Sequence, residues 1–351
     1  MNFESLGTIL ISVLIFGGLI FIHEFGHYIF ARIFKVTIEE FSIGMGPKLL
    51  WFTSKKTNIT YSLRMIPIGG YVAMIGENGE SNDPNSFDKK PSWQRFIITV
   101  AGATVNIVAG FLAMSILTSM IYLYGTEVRG FLTSEKTGYE ISSEDSGLMV
   151  GDRIIKVNNK KVAIYDELSY EVMRQGNKPV TLTVIRDGET ITLDNVVFPV
   201  DTKSGQDFGV LDIVPVAESR GIGNIMRFSW RKSTLIVRMC WESIIDLITG
   251  RYTFEAVSGP VGISGAIGDA AKAGSLNLLY LVAMISINLG VMNLLPIPAL
   301  DGGRIIFILF EMISRRRLPA RIEETINAVG LFILLGLSVI IMVKDFFVIL
   351  F

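Results

Sequence analysis

The chain has 351 residues, of which 50% are hydrophobic and 19% are charged, and its formal net charge is −1. Its mean hydropathy, +0.48, is positive, which is unusual for a soluble globular protein and predicts a protein integral to a membrane. The near-neutral charge excludes the basic footprint of a nucleic-acid-binding protein, so no nucleic-acid partner is expected. A single cysteine, Cys240, excludes an internal disulfide framework and a cysteine-rich metal site.

The first apolar run, residues 6–22, continues as a helix to about residue 32 and contains the motif HEFGH. No basic segment precedes it, so we expect a retained membrane span and not a cleaved signal peptide. His23 and His27 are the only histidines of the chain, and at a spacing of four they share one helix face with room for one Zn²⁺. Glu24 stands beside them as a candidate general base. The alternative, a buried ion pair between Glu24 and one histidine, is weaker because ionisable groups at membrane depth are costly and usually functional.

Residues 96–126 form a second uncharged run, and residues 127–222 then change in texture. This segment is charged, alternates short β-branched runs with turn residues, and is too polar to span a membrane, which predicts a β-rich soluble domain. Residues 180–198 predict a hairpin around Asp187-Gly188. The stretch SGLMVGDRIIKVNNKKV, residues 146–162, resembles the core of a PDZ domain. Such a domain captures peptides by strand addition, but a β-rich spacer that restricts access is an equal alternative.

Residues 224–250 show apolar residues near helical spacing with basic residues between them. They predict an amphipathic helix that lies on the membrane surface or packs against the spans.

The third apolar run, residues 273–300, leads into the stretch NLLPIPALDGG, residues 293–303, and a fourth run spans residues 325–343. Pro296 and Pro298 remove backbone donors, so we expect the helix to unwind around Asp301, as the membrane tolerates only inside protein or beside a cavity. Catalytic zinc takes three protein ligands, and without a third histidine Asp301 is the best candidate for the last one. The alternative is a charge at the interface that pairs with Arg304.

Four spans predict three connecting segments whose sides follow from basic residues near the span ends. These residues follow span one, precede span two and separate spans three and four: Arg32, Lys35, Lys89, Lys90, Arg95, Arg315, Arg316, Arg317 and Arg321. We therefore expect residues 33–95 and 314–322 in the cytoplasm, with both termini and the β-rich domain outside. The sequence divides into an N-terminal membrane part, residues 1–126, the β-rich domain, residues 127–222, and a C-terminal membrane part, residues 223–351.

Together, the HEFGH helix, the LDG segment and the insert between spans two and three resemble the site-2 protease family of intramembrane zinc metalloproteases, in particular its bacterial RseP type with one PDZ domain. The residues RMIPIGGYVAM, 64–74, are similar to the family's membrane-associated β-hairpin, GATVN, 102–106, to its Gly-x-x-x-Asn motif, and SGPVGI, 258–263, to the segment before span three.

The resemblance implies a polytopic α-helical membrane protein with four transmembrane helices, a membrane-associated β-hairpin and an inserted PDZ-like domain. It implies that His23, His27 and Asp301 bind Zn²⁺ and that Glu24, as general base, activates the zinc-bound water that attacks the scissile carbonyl. It implies further residues that hold the substrate backbone: Asn288, Asn293, Gly69, Gly70, Tyr71 and Val72.

The implied activity is regulated intramembrane proteolysis in the bacterial cell membrane. The implied substrates are single-span proteins, such as anti-sigma factors or remnant signal peptides, cut after another protease removes their external domain. A catalytically inactive scaffold and an ion transporter are alternatives. A Glu24→Gln variant separates them, because only a protease keeps zinc while losing cleavage.

Overall fold

The structure, a computed structural model, describes residues 3–77, 79, 81–132, 142–202, 207–251 and 257–350. Its helices are α1 (Phe3–Ile33), α2 (Ser92–Met120), α3 (Tyr165–Gln175), α4 (Ile222–Ile248), α5 (Pro260–Ala273), α6 (Ser275–Leu294), α7 (Asp301–Ser314) and α8 (Ala320–Leu350). Its strands are β1 (Ile38–Thr53), β2 (Thr60–Met74), β3 (Leu123–Phe131), β4 (Arg153–Val157), β5 (Lys160–Lys161), β6 (Val180–Arg186), β7 (Glu189–Val196), β8 (Val200–Asp201), β9 (Phe208–Gly209) and β10 (Ile213–Glu218). The chain forms two compact units, Met1–Met114 with Ile236–Phe351, and Ser115–Leu235.

Among the residues that the structure describes, four helices are long and apolar enough to cross a bilayer: Leu6–Ile33, Ser92–Met120, Ser275–Leu294 and Arg321–Phe347. They confirm the prediction of a polytopic helical membrane protein. The second span ends at Met120 and not at residue 126, because residues 123–131 form β3. That strand pairs antiparallel with β10, which satisfies its backbone outside any helix.

Strands β1 and β2 follow the first span and form a sheet that is longer than the predicted hairpin. Residues 40–43 of β1 have Cα partners on two sides, residues 60–63 and residues 70–73 of β2. Residues 70–74 are therefore an edge, since the described part of the chain supplies no further strand beyond them. The sheet packs on the end of α1 through a buried cluster that includes Ala31, Phe41 and Val72.

The second unit contains the β-rich region that the sequence predicts. Its main sheet has the strand order β10-β3-β4-β6-β7, with β5 paired to β4. The predicted hairpin is confirmed: β6 and β7 pair antiparallel, and Asp187 and Gly188 have φ values of 53° and 88°, as a type I′ turn requires. Helix α3 covers the sheet, and the two bury one apolar core that includes Ile154, Leu168, Leu182 and Val184.

The Gly151-Asp152 turn of this unit is fixed by a buried ion pair. Gly151 has φ +94°, which favours glycine, and Asp152 is fully buried. Arg186 donates to both carboxylate oxygens of Asp152 at 2.7 Å, the strong bidentate arrangement. The turn therefore ties the start of β4 to the end of β6. Residues 133–141, part of the approach to this turn, lie outside the described residues.

Helix α4 confirms the predicted amphipathic helix and has two different faces. Residues 222–235 of this helix belong to the β-rich unit, where their polar face contacts α3: Arg231 Nη2 lies 3.2 Å from Glu167 Oε2, and Lys232 pairs with Asp166. Its other face exposes large apolar side chains at helical spacing: Met226, Trp230, Val237, Trp241, Ile245 and Ile248.

The predicted helix break lies between α6 and α7, at residues 295–300. Ala299 has φ 70°, and its N–H donates to Asn327 Oδ1 on α8 at 3.2 Å. A Cβ at Gly302 would lie 1.8 Å from the carbonyl oxygen of Leu295, so the loop folds onto the first turn of α7 only because glycine stands there. This fold places Asp301 at the start of α7.

Candidate metal centre

Helix α1 presents His23 and His27 on one face, one turn apart, and both are buried. Their Nε2 atoms lie 3.2 Å from each other. At a rise of about 1.5 Å per residue, His27 lies about 9 Å and His23 about 15 Å from the end of α1 at Ile33. Both histidines therefore belong to a helix that is apolar enough to span a membrane, and neither is at its end.

Asp301 comes from the other end of the chain, at the first residue of α7. Its Oδ2 lies 3.1 Å from His23 Nε2 and 3.2 Å from His27 Nε2. The structure thus brings the three predicted ligands together in space. Arg304, the partner that the alternative interpretation gave to Asp301, forms an ion pair with Glu77.

The three side chains fit a zinc ion. In a tetrahedral site with bonds of about 2.1 Å, two ligand atoms lie about 3.4 Å apart, close to the 3.1–3.2 Å between these atoms. Asp301 Oδ2 is buried, and no hydrogen bond of good geometry from a described residue satisfies it, although two imidazole nitrogens are near. Two imidazoles and one carboxylate also match the donor set of catalytic zinc, which leaves a coordination position open.

Helix α2 sets the position of His27. His27 Nδ1 lies 2.8 Å from the carbonyl oxygen of Ile98, which can only accept, so Nδ1 carries the proton and Nε2 keeps its lone pair. A Cβ at Gly102 would lie 2.3 Å from His27 Nε2, and one at Gly26 would lie 2.7 Å from the carbonyl oxygen of Ala101. These two glycines let α1 and α2 approach closely enough for the ring to fit.

Glu24 lies one residue from His23 and is half-buried, next to β2. A Cβ at Gly70 would lie 3.1 Å from Glu24 Cγ and 2.9 Å from the carbonyl oxygen of Ser42. The edge segment that begins at Gly70 therefore runs directly beside Glu24. Three predicted substrate-binding residues, Gly70, Tyr71 and Val72, lie at this edge, and Gly69 directly precedes it.

Tyr71 on the same edge belongs to a polar network across the sheet. Arg64 donates to the Tyr71 hydroxyl and, at 3.0 Å, to Glu40 Oε1, and Ser62 donates to the same oxygen at 2.6 Å. Partial burial acts to raise the pKa of Glu40, but hydrogen bonds from Ser62, Lys48, Arg64 and Tyr71 prevail and lower it to about 2. The network fixes the edge by charge-assisted hydrogen bonds.

Two ion pairs that sequence reasoning missed hold α7 in place. Arg304 pairs with Glu77 in the loop after β2, and Glu311 accepts hydrogen bonds from Arg95 and, at 2.9 Å, from Ser92 at the start of α2. The charges were visible in the sequence, but their partners are more than 200 residues away, so pattern alone could not pair them.

Asn288 and Asn293, the remaining predicted substrate-binding residues, lie on α6. Asn288 Oδ1 is buried and accepts no hydrogen bond from a described residue, so it is an acceptor without a donor. Asn293 is half-buried near the end of α6.

Comparison with known proteins identifies the family of the chain. The sequence profile of Peptidase family M50 matches residues 11–337. The chain is 33% identical to a protein of Clostridium acetobutylicum, over 97% of this chain and 98% of that one. It is 34% identical to a protein of Clostridium perfringens, over 96% and 98%, and 33% identical to one of Fusobacterium nucleatum, over 96% and 98%. All three relatives bear the name "Putative zinc metalloprotease".

The match of the family profile covers the HEFGH motif, the LDG segment and everything between them. Four apolar helices place such an enzyme in a membrane as a multi-pass protein. The chain belongs to Peptidase family M50, the site-2 protease family, and is a zinc metalloprotease with several membrane-spanning helices.

Proposed function

We propose that this enzyme cleaves the transmembrane segments of single-span membrane proteins, inside the membrane. The observation that carries the proposal is the place of His23 and His27 in α1, about 15 Å and 9 Å from the end of an apolar span. A protease of soluble substrates gains nothing from a centre at that depth, whereas a helix that arrives through the lipid meets it directly.

Residues His23, His27 and Asp301 hold the zinc ion. When bound, zinc supplies Lewis-acid polarisation of a carbonyl oxygen and lowers the pKa of water next to it toward 7. Glu24 accepts the proton of the attacking water and passes it to the leaving amine. Its position next to Gly70 supports this role, because a chain bound along that edge lies beside its carboxylate.

A transmembrane helix hides each scissile carbonyl in its own hydrogen bonds, so the substrate must unwind before cleavage. The edge at residues 70–74 offers replacement partners by strand addition, as in other peptide-binding sheets. Asn288 Oδ1, a buried acceptor that receives no hydrogen bond from a described residue, is a further partner for an exposed backbone N–H. Asn293, on the same helix, is a further hydrogen-bond partner for the backbone of the unwound substrate.

The cellular setting of the proposal follows the predicted topology, with both termini and the β-rich unit outside a bacterial cell membrane. Its substrates are single-span proteins whose external domain has been removed, such as anti-sigma factors or remnant signal peptides. The β-rich unit, a PDZ-like domain, restricts access by substrates that keep a large external domain.

The test uses the full-length protein in lipid nanodiscs with a single-span test substrate. Glu24→Gln should keep about one zinc per chain and lose cleavage by at least about 100-fold, since the proton acceptor is removed and no ligand is. Asp301→Ala should lose both zinc and cleavage while the protein still inserts, because the apolar spans are unchanged.

Mass spectrometry of the products locates the cut. Cleavage within the apolar segment of the substrate supports the proposal, and cleavage only in its polar flanks contradicts it. Glu39→Gln, an exposed glutamate of β1, is the matched control and should leave zinc content and cleavage unchanged.

A further inference from the structure

Helix α2 contacts His23 as well as His27. Asn106 is fully buried, and its side-chain amide lies 3.4 Å from His23 Nδ1. Ile98, Gly102 and Asn106 follow one another at intervals of four residues, so they form one stripe along α2. The Ile98 carbonyl accepts a hydrogen bond from His27, and Gly102 leaves space for the His27 ring. Asn106 lies next to Nδ1 of His23, where a hydrogen-bond acceptor would orient that ring in the same way.

The direction of the Asn106–His23 hydrogen bond decides what His23 can do. If the amide NH2 donates, Nδ1 must accept, and the proton of the neutral ring moves to Nε2. Nε2 is the atom that lies 3.1 Å from Asp301 Oδ2 and 3.2 Å from His27 Nε2, and a protonated Nε2 cannot bind zinc. A half-turn of the amide exchanges its oxygen and nitrogen without moving the backbone.

The buried oxygen of Asn106 supports the turned arrangement. Oδ1, facing away from the ring, accepts no hydrogen bond from a described residue, so it gains a donor by turning toward Nδ1. The backbone carbonyl of Asn106 accepts a hydrogen bond of 2.8 Å from the buried Ser286 hydroxyl on α6, which holds this part of α2 in place.

We infer that Asn106 is a positioning residue of the metal centre: its side-chain oxygen accepts the Nδ1–H of His23 and so turns the Nε2 lone pair toward the zinc ion. The inference rests on the zinc ligand set described above. It gives α2 the task of orienting both histidines, one through a backbone carbonyl and one through a side chain.

The test measures the dissociation constant for zinc by competition with a chromophoric chelator, on full-length protein in nanodiscs and without substrate. Asn106→Leu keeps the size of the side chain and removes the acceptor, so zinc binding should weaken by about 10- to 100-fold. Asn106→Asp keeps an acceptor and has no donor when ionised, so it should bind zinc as tightly as the wild type or more tightly. Ser286→Ala, the matched control, removes a buried hydrogen bond to the same residue but none to the ring, and should change zinc affinity by less than about threefold.

The Asp variant gives the decisive sign. If the amide donates to the ring, Asn106→Asp weakens zinc binding as much as Asn106→Leu, and the inference is overturned. An equal loss in Ser286→Ala also overturns it, because packing alone then explains the effect, and so does wild-type affinity in Asn106→Leu. Should the Leu variant fail to fold by circular dichroism, Asn106→Ala must show the same loss. Because no substrate is present, these outcomes do not depend on whether the enzyme cuts inside the membrane. If the wild-type protein itself binds no zinc, the assignment of His23, His27 and Asp301 as zinc ligands is wrong.

Discussion

Gly102→Ala is the substitution for which the structure gives the clearest magnitude. A Cβ at this position would lie 2.3 Å from His27 Nε2, 2.7 Å from Cε1 and 2.8 Å from Cδ2. Ordinary contacts need about 3.4 Å or more, so the ring must move by at least about 1 Å. Zinc sites keep their bond lengths within about 0.2 Å, and this displacement exceeds that range about fivefold. We expect zinc affinity to fall by at least about 100-fold, beyond the loss typical of a changed second shell.

The assay compares zinc affinity and thermal unfolding of the purified protein in nanodiscs. Gly18→Ala is the matched control: it makes the same change in α1, where the new Cβ meets nothing within 4 Å, and it should keep wild-type affinity. In zinc-free protein, Gly102→Ala should lower the free energy of unfolding by about 1–3 kcal/mol through overpacking. The same change in a His27→Ala background should lose most of that effect, because the ring that the methyl group meets is gone. Zinc affinity within threefold of wild type in Gly102→Ala would refute the reasoning.

Three further predictions concern the edge strand, the sheet network and the topology. Val72→Pro removes a backbone N–H and should lower cleavage at least about 10-fold with zinc content unchanged, whereas Val72→Ala, which keeps the N–H, should lower it less; equal activity of the two variants would show that the substrate is held elsewhere. The folded pKa of Glu40, about 2, lies below the ordinary value of 4.5, so this group stabilises the sheet above about pH 4.5 and loses that effect as the pH falls toward 2. Unfolding measured across this range should show a loss of about 1–2 kcal/mol that Glu40→Gln abolishes, and an unchanged pH profile in the variant would exclude the network as its cause. A cysteine at Asn85 should be labelled only from the cytoplasm and one at Asn159 only from outside, and the reverse pattern would overturn the assigned topology.

Local patterns were enough to predict much of this protein. The four spans depend on runs of apolar residues, and the hairpin at Asp187-Gly188 depends on a turn type that those two residues favour. The break between α6 and α7 follows from Pro296 and Pro298, because proline removes backbone donors wherever it stands. His23 and His27 share a face because helix geometry alone puts residues four apart on one side. Each of these features depends only on residues that are close together in the sequence.

The tertiary structure decided what those elements meet. Only the packed chain shows that Asp301 lies 3.1 Å from His23 across a separation of 278 residues, and that Arg304 pairs with Glu77. The edge at Gly70 reaches Glu24 because β1 and β2 fold into a longer sheet than the sequence predicted, with residues 40–43 between two segments of β2. Ile98, Gly102 and Asn106 acquire their roles only when α2 lies against α1. Contacts of this kind join residues far apart in sequence. They form when apolar surfaces are buried against each other, and a local sequence pattern does not indicate which distant surfaces will meet.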